Sequence, residues 1–452
     1  MSRDRLASRL GFILLSAGCA IGIGNVWKFP WMVGQYGGAI FVLIYLVCLV
    51  VLGIPVMTME FAVGRAAQRS PAVMFRELEP PKSKWHFHGI TCLAGCVILM
   101  MFYNNVAGWM MNYFFKTATG KFEGLDTEAV NAEFGKMLGD PVWQTVFMAA
   151  AVIIGIVVCM LGVQKGLERV TKVMMVALLG LMIVLAVNSA TLSGAKEGLK
   201  FYLLPDFGKI TPNVIVGAMN QAFFTLSLGI GSMAIFGSYL DKDRSLMGES
   251  VNIIILDTFV AVMAGLIIFP ACFTYDLEVG QGPGLLFDTM ATVFNNMNGG
   301  RLWGSIFFLF MVFASMSTVL AVFENILACV REMFGWNRPK GCLFCGIVIA
   351  ITSLTTALGY SLWPFQPFAE GTAWLDLWDF LVSYNLLPLG SLVFVIFCCN
   401  KRYGWGWENF LKEANTGKGL KVKNWMKPIF CYVVPVAVII IYIMGMISFP
   451  WK

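Results

Sequence analysis

The stretch Gly18-Cys19-Ala20-Ile21-Gly22-Ile23-Gly24-Asn25 interrupts the first long apolar segment of the chain. Glycine weakens the interior of a helix, and a buried asparagine amide needs hydrogen-bond partners. The stretch therefore predicts a membrane helix that is broken near its middle and that binds something at the break. A second interruption of this kind, Thr225-Leu226-Ser227-Leu228-Gly229-Ile230-Gly231, lies in the sixth apolar segment.

Composition places the whole chain in a lipid bilayer. The 452 residues are 58% hydrophobic and only 13% charged, with a mean hydropathy of +0.75. A soluble domain carries about a quarter charged residues. Apolar stretches of roughly 20 residues have the length of membrane-spanning helices, which predicts an all-α fold in one membrane domain, 1–452. The net charge of +6 predicts no nucleic-acid partner, because the basic residues follow the membrane topology.

We predict eleven transmembrane helices, of which the first and sixth are discontinuous. Their predicted ranges are 10–32, 38–62, 88–115, 142–161, 168–192, 211–240, 247–275, 301–334, 341–361, 372–398 and 429–449. With the N-terminus in the cytoplasm, 23 of the 32 lysines and arginines fall in cytoplasmic segments. Cytoplasmic loops carry such an excess, so we expect a cytoplasmic N-terminus and an extracellular C-terminus.

The predicted spans form two groups of five, each opening with an interrupted helix. The first repeat covers 10–192, the second covers 211–398, and 429–449 is an additional helix. An odd number of spans inverts the second repeat relative to the first. Two interrupted helices in corresponding positions of two inverted repeats predict a midplane site and alternating access, as in secondary transporters.

Two external segments have predicted roles of their own. The acidic segment 116–141 is predicted to be a solvated loop. In 276–300, the sequence Gln281-Gly282-Pro283-Gly284 predicts a turn that leads into a short amphipathic piece, which we expect to fold over the site as a lid.

Several motifs closely resemble the neurotransmitter:sodium symporter family along nearly the whole chain. They are Arg9-Leu10-Gly11-Phe12-Ile13-Leu14, Ala20-Ile21-Gly22-Ile23-Gly24-Asn25-Val26-Trp27-Lys28-Phe29-Pro30, Gly37-Gly38-Ala39-Ile40-Phe41, Gly53-Ile54-Pro55-Val56-Met57-Thr58-Met59-Glu60 with Gly64-Arg65, and Gln221-Ala222-Phe223-Phe224-Thr225-Leu226-Ser227-Leu228-Gly229. With eleven predicted spans instead of twelve, the chain resembles the bacterial branch of the family that has the leucine-transporter fold. The resemblance implies a multi-pass protein of the bacterial plasma membrane.

The resemblance implies two sodium sites at the first break. Sodium site one is expected to comprise Ala20, Asn25, Thr225 and Asp257, completed by the substrate carboxylate. Sodium site two is expected to comprise Gly18, Ile21, Ala314, Ser317 and Thr318. A Ser-Thr pair in a helix otherwise often bonds to the preceding turn of its own helix. We expect no organic cofactor.

The resemblance also implies a substrate pocket. Tyr103 matches the family tyrosine that hydrogen-bonds a substrate carboxylate. The residues expected to contact the substrate are Ala20, Gly22, Ile23, Gly24, Leu99, Tyr103, Phe224, Thr225, Ser227, Ile230, Ser317 and Val322. Relatives that carry biogenic amines have an aspartate where this chain has Gly22, so we expect an amino acid with its own carboxylate. The apolar lining favours a hydrophobic or aromatic one.

Two further features of the resemblance concern the anion and the gates. Asp257 stands where chloride-using relatives carry asparagine, and a buried aspartate needs a partner such as sodium. We therefore expect transport that is independent of chloride.

Lys28 and Asp379 occupy the outer gate positions. Lysine lacks the two-pronged donor of arginine, which predicts a weaker or water-mediated contact with Asp379. Arg3 and Glu332 are expected to form the inner gate.

Other classes of protein fit this sequence less well. The only two histidines, His86 and His88, are predicted to lie in a cytoplasmic loop, which excludes paired haem ligands inside the helix bundle. The sequence contains no P-loop, which argues against an ATP-driven pump. We therefore expect a transporter rather than an enzyme. An amino acid sensor or a channel on the same scaffold remains the alternative, since a fold does not fix function. The sequence leaves monomer and dimer open.

Overall fold

The structure, a computed structural model, describes residues 6–277 and 284–449. Within these ranges the regular elements are all helical. Nine helices are long and apolar enough to cross a membrane, and a helix pair bent by 54° at residues 21–23 makes ten when it is counted as one span.

The helices are numbered here in chain order. They are α1 (Arg9–Ala20), α2 (Gly24–Gln35), α3 (Ala39–Ala67), α4 (Pro71–Leu78), α5 (His86–Ala118), α6 (Thr127–Gly139), α7 (Pro141–Met160), α8 (Val163–Ala190), α9 (Ala195–Leu203), α10 (Pro212–Thr225), α11 (Ser232–Gly237), α12 (Leu246–Thr274), α13 (Ala291–Asn296), α14 (Gly300–Phe334), α15 (Arg338–Ala357), α16 (Trp374–Cys399), α17 (Trp407–Ala414) and α18 (Asn424–Ile447).

Capping residues define where several of these helices begin. Asp140 accepts hydrogen bonds from the amides of Val142 and Trp143, at 3.0 and 3.1 Å, and Pro141 is the first residue of α7. Thr211 caps α10 in the same way, ahead of Pro212. A capping side chain followed by proline satisfies free amides and presets the backbone for a helix.

The predicted sixth span, 211–240, forms two short helices, α10 and α11. They are joined by a turn at 226–231, and each is too short to count among the helices that can cross a membrane. The first predicted span corresponds to the bent pair α1 and α2.

The prediction that 116–141 is only a solvated loop was wrong, because this segment contains α6. Asp126 caps the helix by accepting a hydrogen bond from the amide of Ala129 at 2.8 Å. One face of α6 is buried through Val130, Phe134 and Met137. Apolar contact at that spacing stabilises a helix whose other faces are exposed and charged.

The predicted lid is described only in part. The turn at 281–283 lies outside the described residues, whereas Leu285–Met290 and α13 are helical. The ring of Phe287 stacks on Phe134 of α6, with 4.7 Å between ring centroids, and lies 4.8 Å from the ring of Tyr113. This segment is therefore packed onto α5 and α6.

The centre of the fold is formed by α5 and α14, the two longest helices, which pack against each other. Both broken pairs, α1 with α2 and α10 with α11, lie beside them. Fully buried polar residues are expensive in a membrane unless they are paired, and several gather at the breaks. They include Asn25, Thr225, Asp257 and Ser317.

Candidate functional site

The first break is closed by the side chain of Asn25. α1 ends at Ala20, Ile21 is extended, and α2 begins at Gly24. Asn25 Oδ1 accepts a hydrogen bond from the amide of Gly22 at 3.2 Å. One amide released by the break is thus satisfied inside the protein, as a buried backbone donor requires.

The second break contains residues in the left-handed region of backbone space. Gly229 has φ +98° and Gly231 has φ +73°. A Cβ on Gly229 would lie 2.1 Å from the carbonyl oxygen of Leu387, so close backbone approach also demands glycine here. Glu60 of α3 accepts hydrogen bonds from the amides of Gly229 and, at 3.2 Å, Met233. Glu60 therefore holds the broken helix through its backbone.

A cluster of buried oxygen and amide groups joins the two breaks to α12. Asn25 Nδ2 donates to Asp257 Oδ1 at 2.8 Å and to the Asp257 carbonyl at 3.1 Å. Thr225 Oγ1 lies 3.4 Å from both carboxylate oxygens, and Tyr45 OH lies 3.5 Å from Oδ2. Ala20, which was also assigned to sodium site one, lies on the wall of the neighbouring cavity.

A second oxygen cluster joins α14 to α1. Ser317 Oγ lies 3.4 Å from the carbonyl oxygen of Ile21 and 2.9 Å from that of Ala314. Thr318 Oγ1 lies 3.3 Å from the carbonyl oxygen of Gly18. These contacts link Ser317 to Ile21 and Ala314, and Thr318 to Gly18, all residues assigned to sodium site two.

The first cluster offers hydroxyl, amide, carbonyl and carboxylate oxygens, and the second offers hydroxyl and carbonyl oxygens. Hard cations prefer oxygen ligands of these kinds. Among the described residues, no group of three or more histidine, cysteine, aspartate or glutamate side chains is placed to hold a metal ion. The donor set therefore fits a weakly held monovalent cation better than a transition metal.

Between the two breaks lies a central cavity of about 20 Å³. It is lined by Cys19, Ala20, Gly22, Gly24, Leu99, Tyr103, Phe224, Ser227, Ile230, Thr318, Val382 and Leu387. Tyr103 OH accepts a hydrogen bond from the amide of Ile23 at 3.1 Å. A Cβ on Gly22 would lie 2.3 Å from Tyr103 OH and 2.6 Å from Thr318 Oγ1. A side chain at position 22 would therefore require Tyr103 or Thr318 to move.

Four residues assigned to substrate contact are not on the wall of this cavity. Thr225 and Ser317 belong to the two oxygen clusters, and Ile23 faces a cavity further out. Val322 is fully buried in α14 one helical turn beyond Thr318, a displacement of about 6 Å along the axis. The wall instead includes Val382 and Leu387 of α16, to which the sequence analysis gave no role.

An outer cavity of about 200 Å³ shares Tyr103 and Phe224 with the central one, so these two side chains separate them. Lys28 and Asp379, which were assigned to the outer gate, both line it. Lys28 Nζ lies 3.7 Å from the centroid of the Phe224 ring, and Asp379 accepts a hydrogen bond from Ser383 at 2.6 Å. No ion pair joins Lys28 to Asp379, both of which the structure describes.

Arg3, which was assigned to the inner gate, lies outside the described residues. Its expected partner Glu332 accepts hydrogen bonds from the amide and the hydroxyl of Ser70, both at 2.8 Å. Contacts that the sequence did not reveal anchor the start of α1. The buried carboxylate of Glu168 accepts hydrogen bonds from the Ala7 amide at 2.7 Å and from Ser8 Oγ at 3.0 Å.

Arg9, at the first residue of α1, pairs with buried Glu249 of α12 at 3.0 Å. In a single sequence, an acid at the start of a membrane helix carries no signal of its distant partner. Neither Glu168 nor Glu249 was therefore a candidate.

Comparison with known proteins agrees with this geometry. The profile of the Sodium:neurotransmitter symporter family matches residues 3–133 and 131–452. YhdH, a sodium-dependent transporter of Bacillus subtilis (strain 168), is 35% identical over 98% of each chain. A sodium-dependent transporter of Haemophilus influenzae is 29% identical, also over 98% of each chain.

A more distant relative, the sodium- and chloride-dependent GABA transporter 2 of Bos taurus, is 24% identical over 90% of this chain and 74% of its own. Among solved structures, the crystal structure of MhsT in complex with L-phenylalanine matches with a TM-score of 0.88 and 34% identity, over 98% of this chain and 99% of MhsT. The relatives are transporters, and the apolar helices fit a multi-pass membrane protein. The chain belongs to the sodium:neurotransmitter symporter family and is a sodium-dependent transporter.

Proposed function

We propose that the protein is a symporter that imports a hydrophobic or aromatic amino acid together with two sodium ions. The observation that carries this proposal is the meeting of both broken helices at a central cavity flanked by two buried oxygen clusters. Broken helices expose carbonyl oxygens that suit a cation and amides that suit a carboxylate.

In this proposal the Asn25, Thr225 and Asp257 cluster, with the carbonyl of Ala20, binds the first sodium ion. The Ser317 and Thr318 cluster binds the second. The substrate carboxylate lies near Tyr103 and the amides of the first break, where it completes the first sodium shell. Direct contact between ion and substrate then couples their binding, because each one raises the affinity for the other.

The substrate class follows from two observations. Position 22 is a glycine, and a Cβ there would crowd Tyr103 and Thr318, so this position supplies no carboxylate to an amine substrate. The remaining wall is mostly apolar, and the similar structure of MhsT was solved with L-phenylalanine. We therefore propose that the substrate is leucine, isoleucine, valine, methionine, tyrosine, phenylalanine or tryptophan.

The proposal extends to topology and gating. Eleven spans form a single domain with two inverted repeats, 10–192 and 211–398, and the cytoplasmic N-terminus and extracellular C-terminus orient them in the bacterial plasma membrane. Lys28 and Asp379 control the outer side, whereas Arg3 and Glu332 control the inner side. Asp257 supplies the negative charge that chloride supplies elsewhere in the family.

Uptake into proteoliposomes tests this function. Purified protein is reconstituted, an inward sodium gradient is imposed, and a mixture of labelled apolar amino acids is offered to the wild type, Asn25→Ala and the exposed control Asn409→Ala. We expect sodium-dependent accumulation in the wild type and the control but not in Asn25→Ala. Binding without accumulation by correctly oriented protein would instead favour a sensor or a channel, and preferential uptake of glycine, proline or a charged amino acid would overturn the substrate class.

A further inference from the structure

The wall of the central cavity at Ile230 is held in place from behind. Ile230 lies between Gly229 and Gly231, and its side chain is 1% exposed. Its carbonyl oxygen lies 3.5 Å from Cys96 Sγ of α5. Asn325 of α14 donates to the same sulfur at 3.2 Å. The backbone at Ile230 is thus tied to two long helices.

Behind the Ile230 side chain lies a gap left by a glycine. A Cβ built on Gly95 of α5 would lie 2.7 Å from Ile230 Cγ2, whereas ordinary van der Waals contact begins at 3.4 Å. The same Cβ would lie 3.5 Å from Ile230 Cβ and from Leu386 Cδ1. The branched methyl of Ile230 therefore occupies space that only glycine leaves free.

Ile230 also lines the central cavity, together with Leu99 and Ser227. Leu99 lies one helical turn after Gly95, so α5 contacts both the back of Ile230 and the cavity itself. Because the backbone at Ile230 is fixed, any group added at Gly95 pushes its side chain toward the cavity. Protein interiors have few voids to absorb such a shift.

We propose that Gly95 is a specificity-determining residue that sets the depth of the substrate pocket through Ile230. It does not line the central cavity itself. By lacking a Cβ it lets Ile230 withdraw, which leaves room for a large apolar or aromatic side chain. This inference rests on the proposed function and deepens it, since it assigns the upper size limit of the substrate to one glycine.

The test is the ratio of kcat/KM for tryptophan to that for valine in sodium-driven uptake. In Gly95→Ala we expect the ratio to fall about tenfold or more, because one misplaced methyl group in an apolar pocket discriminates to that extent. The matched control is Gly180→Ala, a helical glycine of α8 around which a Cβ would meet nothing within 4 Å. The control should keep the wild-type ratio.

A double-mutant cycle shows whether Gly95 acts through Ile230. Ile230→Ala alone should raise the ratio, and adding Gly95→Ala in that background should change it little. An equal fall of uptake for both amino acids in Gly95→Ala, or the same fall in ratio with and without Ile230, would overturn the inference. If Gly95→Ala does not fold, an unchanged ratio in Ile230→Ala would also overturn it. Failure of the wild type to accumulate either amino acid would instead contradict the proposed function.

Discussion

Asn25 Nδ2 lies 2.8 Å from Asp257 Oδ1, so the break in the first span is tied directly to a buried carboxylate of α12. The other end of the same amide accepts a hydrogen bond from Gly22 at the break itself. Both residues are fully buried. A charge on Asp257 therefore acts on the backbone around the central cavity through a single side chain.

The first prediction concerns Asp257 and chloride. Wild-type uptake should be equal in chloride and in gluconate, because the carboxylate already provides the negative charge beside the first sodium site. Asparagine has the same shape as aspartate but carries no charge. Uptake by Asp257→Asn should therefore be about tenfold slower, or more, in gluconate than in chloride, because a buried ion that loses its partner is destabilised. The measurement is labelled amino acid uptake in the two anions.

Asp206→Asn serves as the control for this experiment, because Asp206 is an exposed acid that only caps a short helix. It should behave as the wild type in both anions. A strong chloride requirement of the wild type, or an Asp257→Asn variant indifferent to chloride, would show that Asp257 does not replace the anion.

The breaks were predictable because their signal is local. Glycines and an asparagine inside an apolar span conflict with a continuous helix, whatever the helix packs against. α6 could also have been predicted from the sequence, because Asp126 precedes an apolar pattern at Val130, Phe134 and Met137. Its many acidic residues concealed that pattern.

The remaining parts of the site depend on packing between distant segments. Val382 and Leu387 reach the central cavity only because α16 lies against the second break, where Leu387 nearly touches Gly229. Glu168 and Ser8 are 160 residues apart. The family resemblance assigned Val322 to the pocket. Because Ser317 and Thr318 of the same helix lie at the break, Val322 lies one helical turn beyond it. Neither periodicity nor composition contains such relationships.

The second prediction separates sodium binding from ordinary hydroxyl bonding within α14. Ser317→Ala and Thr318→Ala remove hydroxyls that face carbonyls of α1, so each should raise the sodium concentration for half-maximal uptake roughly tenfold. Ser315→Ala is the matched control, because the buried Ser315 hydroxyl bonds only to the Val312 carbonyl of its own helix. Equal effects of all three substitutions would indicate loss of packing rather than of an ion site.

The third prediction concerns the anchor at the start of α1. Glu168 accepts hydrogen bonds from the Ala7 amide and the Ser8 hydroxyl, and hydrogen bonds to a charged group contribute about 1.5–3 kcal/mol each. Glu168→Ala should therefore accelerate amide hydrogen exchange in the first turns of α1 by about tenfold or more. Glu128→Gln, in the exposed first turn of α6, should leave that exchange unchanged. Unaltered protection of α1 in Glu168→Ala would mean that Glu168 does not hold the helix.

The fourth prediction is that the stability of the helical segment Leu285–Met290 depends on pH. Burial raises the pKa of Asp288 from 3.8 to about 6. Its Oδ1 has no hydrogen-bond partner within the described residues, so the packed segment favours the protonated acid. The resulting stabilisation is fully present below pH 3.8 and is lost as the pH rises through about 6.

Hydrogen exchange of residues 285–296, corrected for the intrinsic effect of pH, measures this dependence. The segment should be more protected at pH 5 than at pH 7.5. Asp288→Asn is neutral at both values and should be protected equally at both, whereas Glu123→Gln, an exposed acid of the same external region, should keep the wild-type dependence. A pH dependence that survived in Asp288→Asn would have to come from another group, since asparagine cannot titrate. Loss of the dependence in Asp288→Asn alone would place the titrating group in the segment that packs against Phe134 and Tyr113.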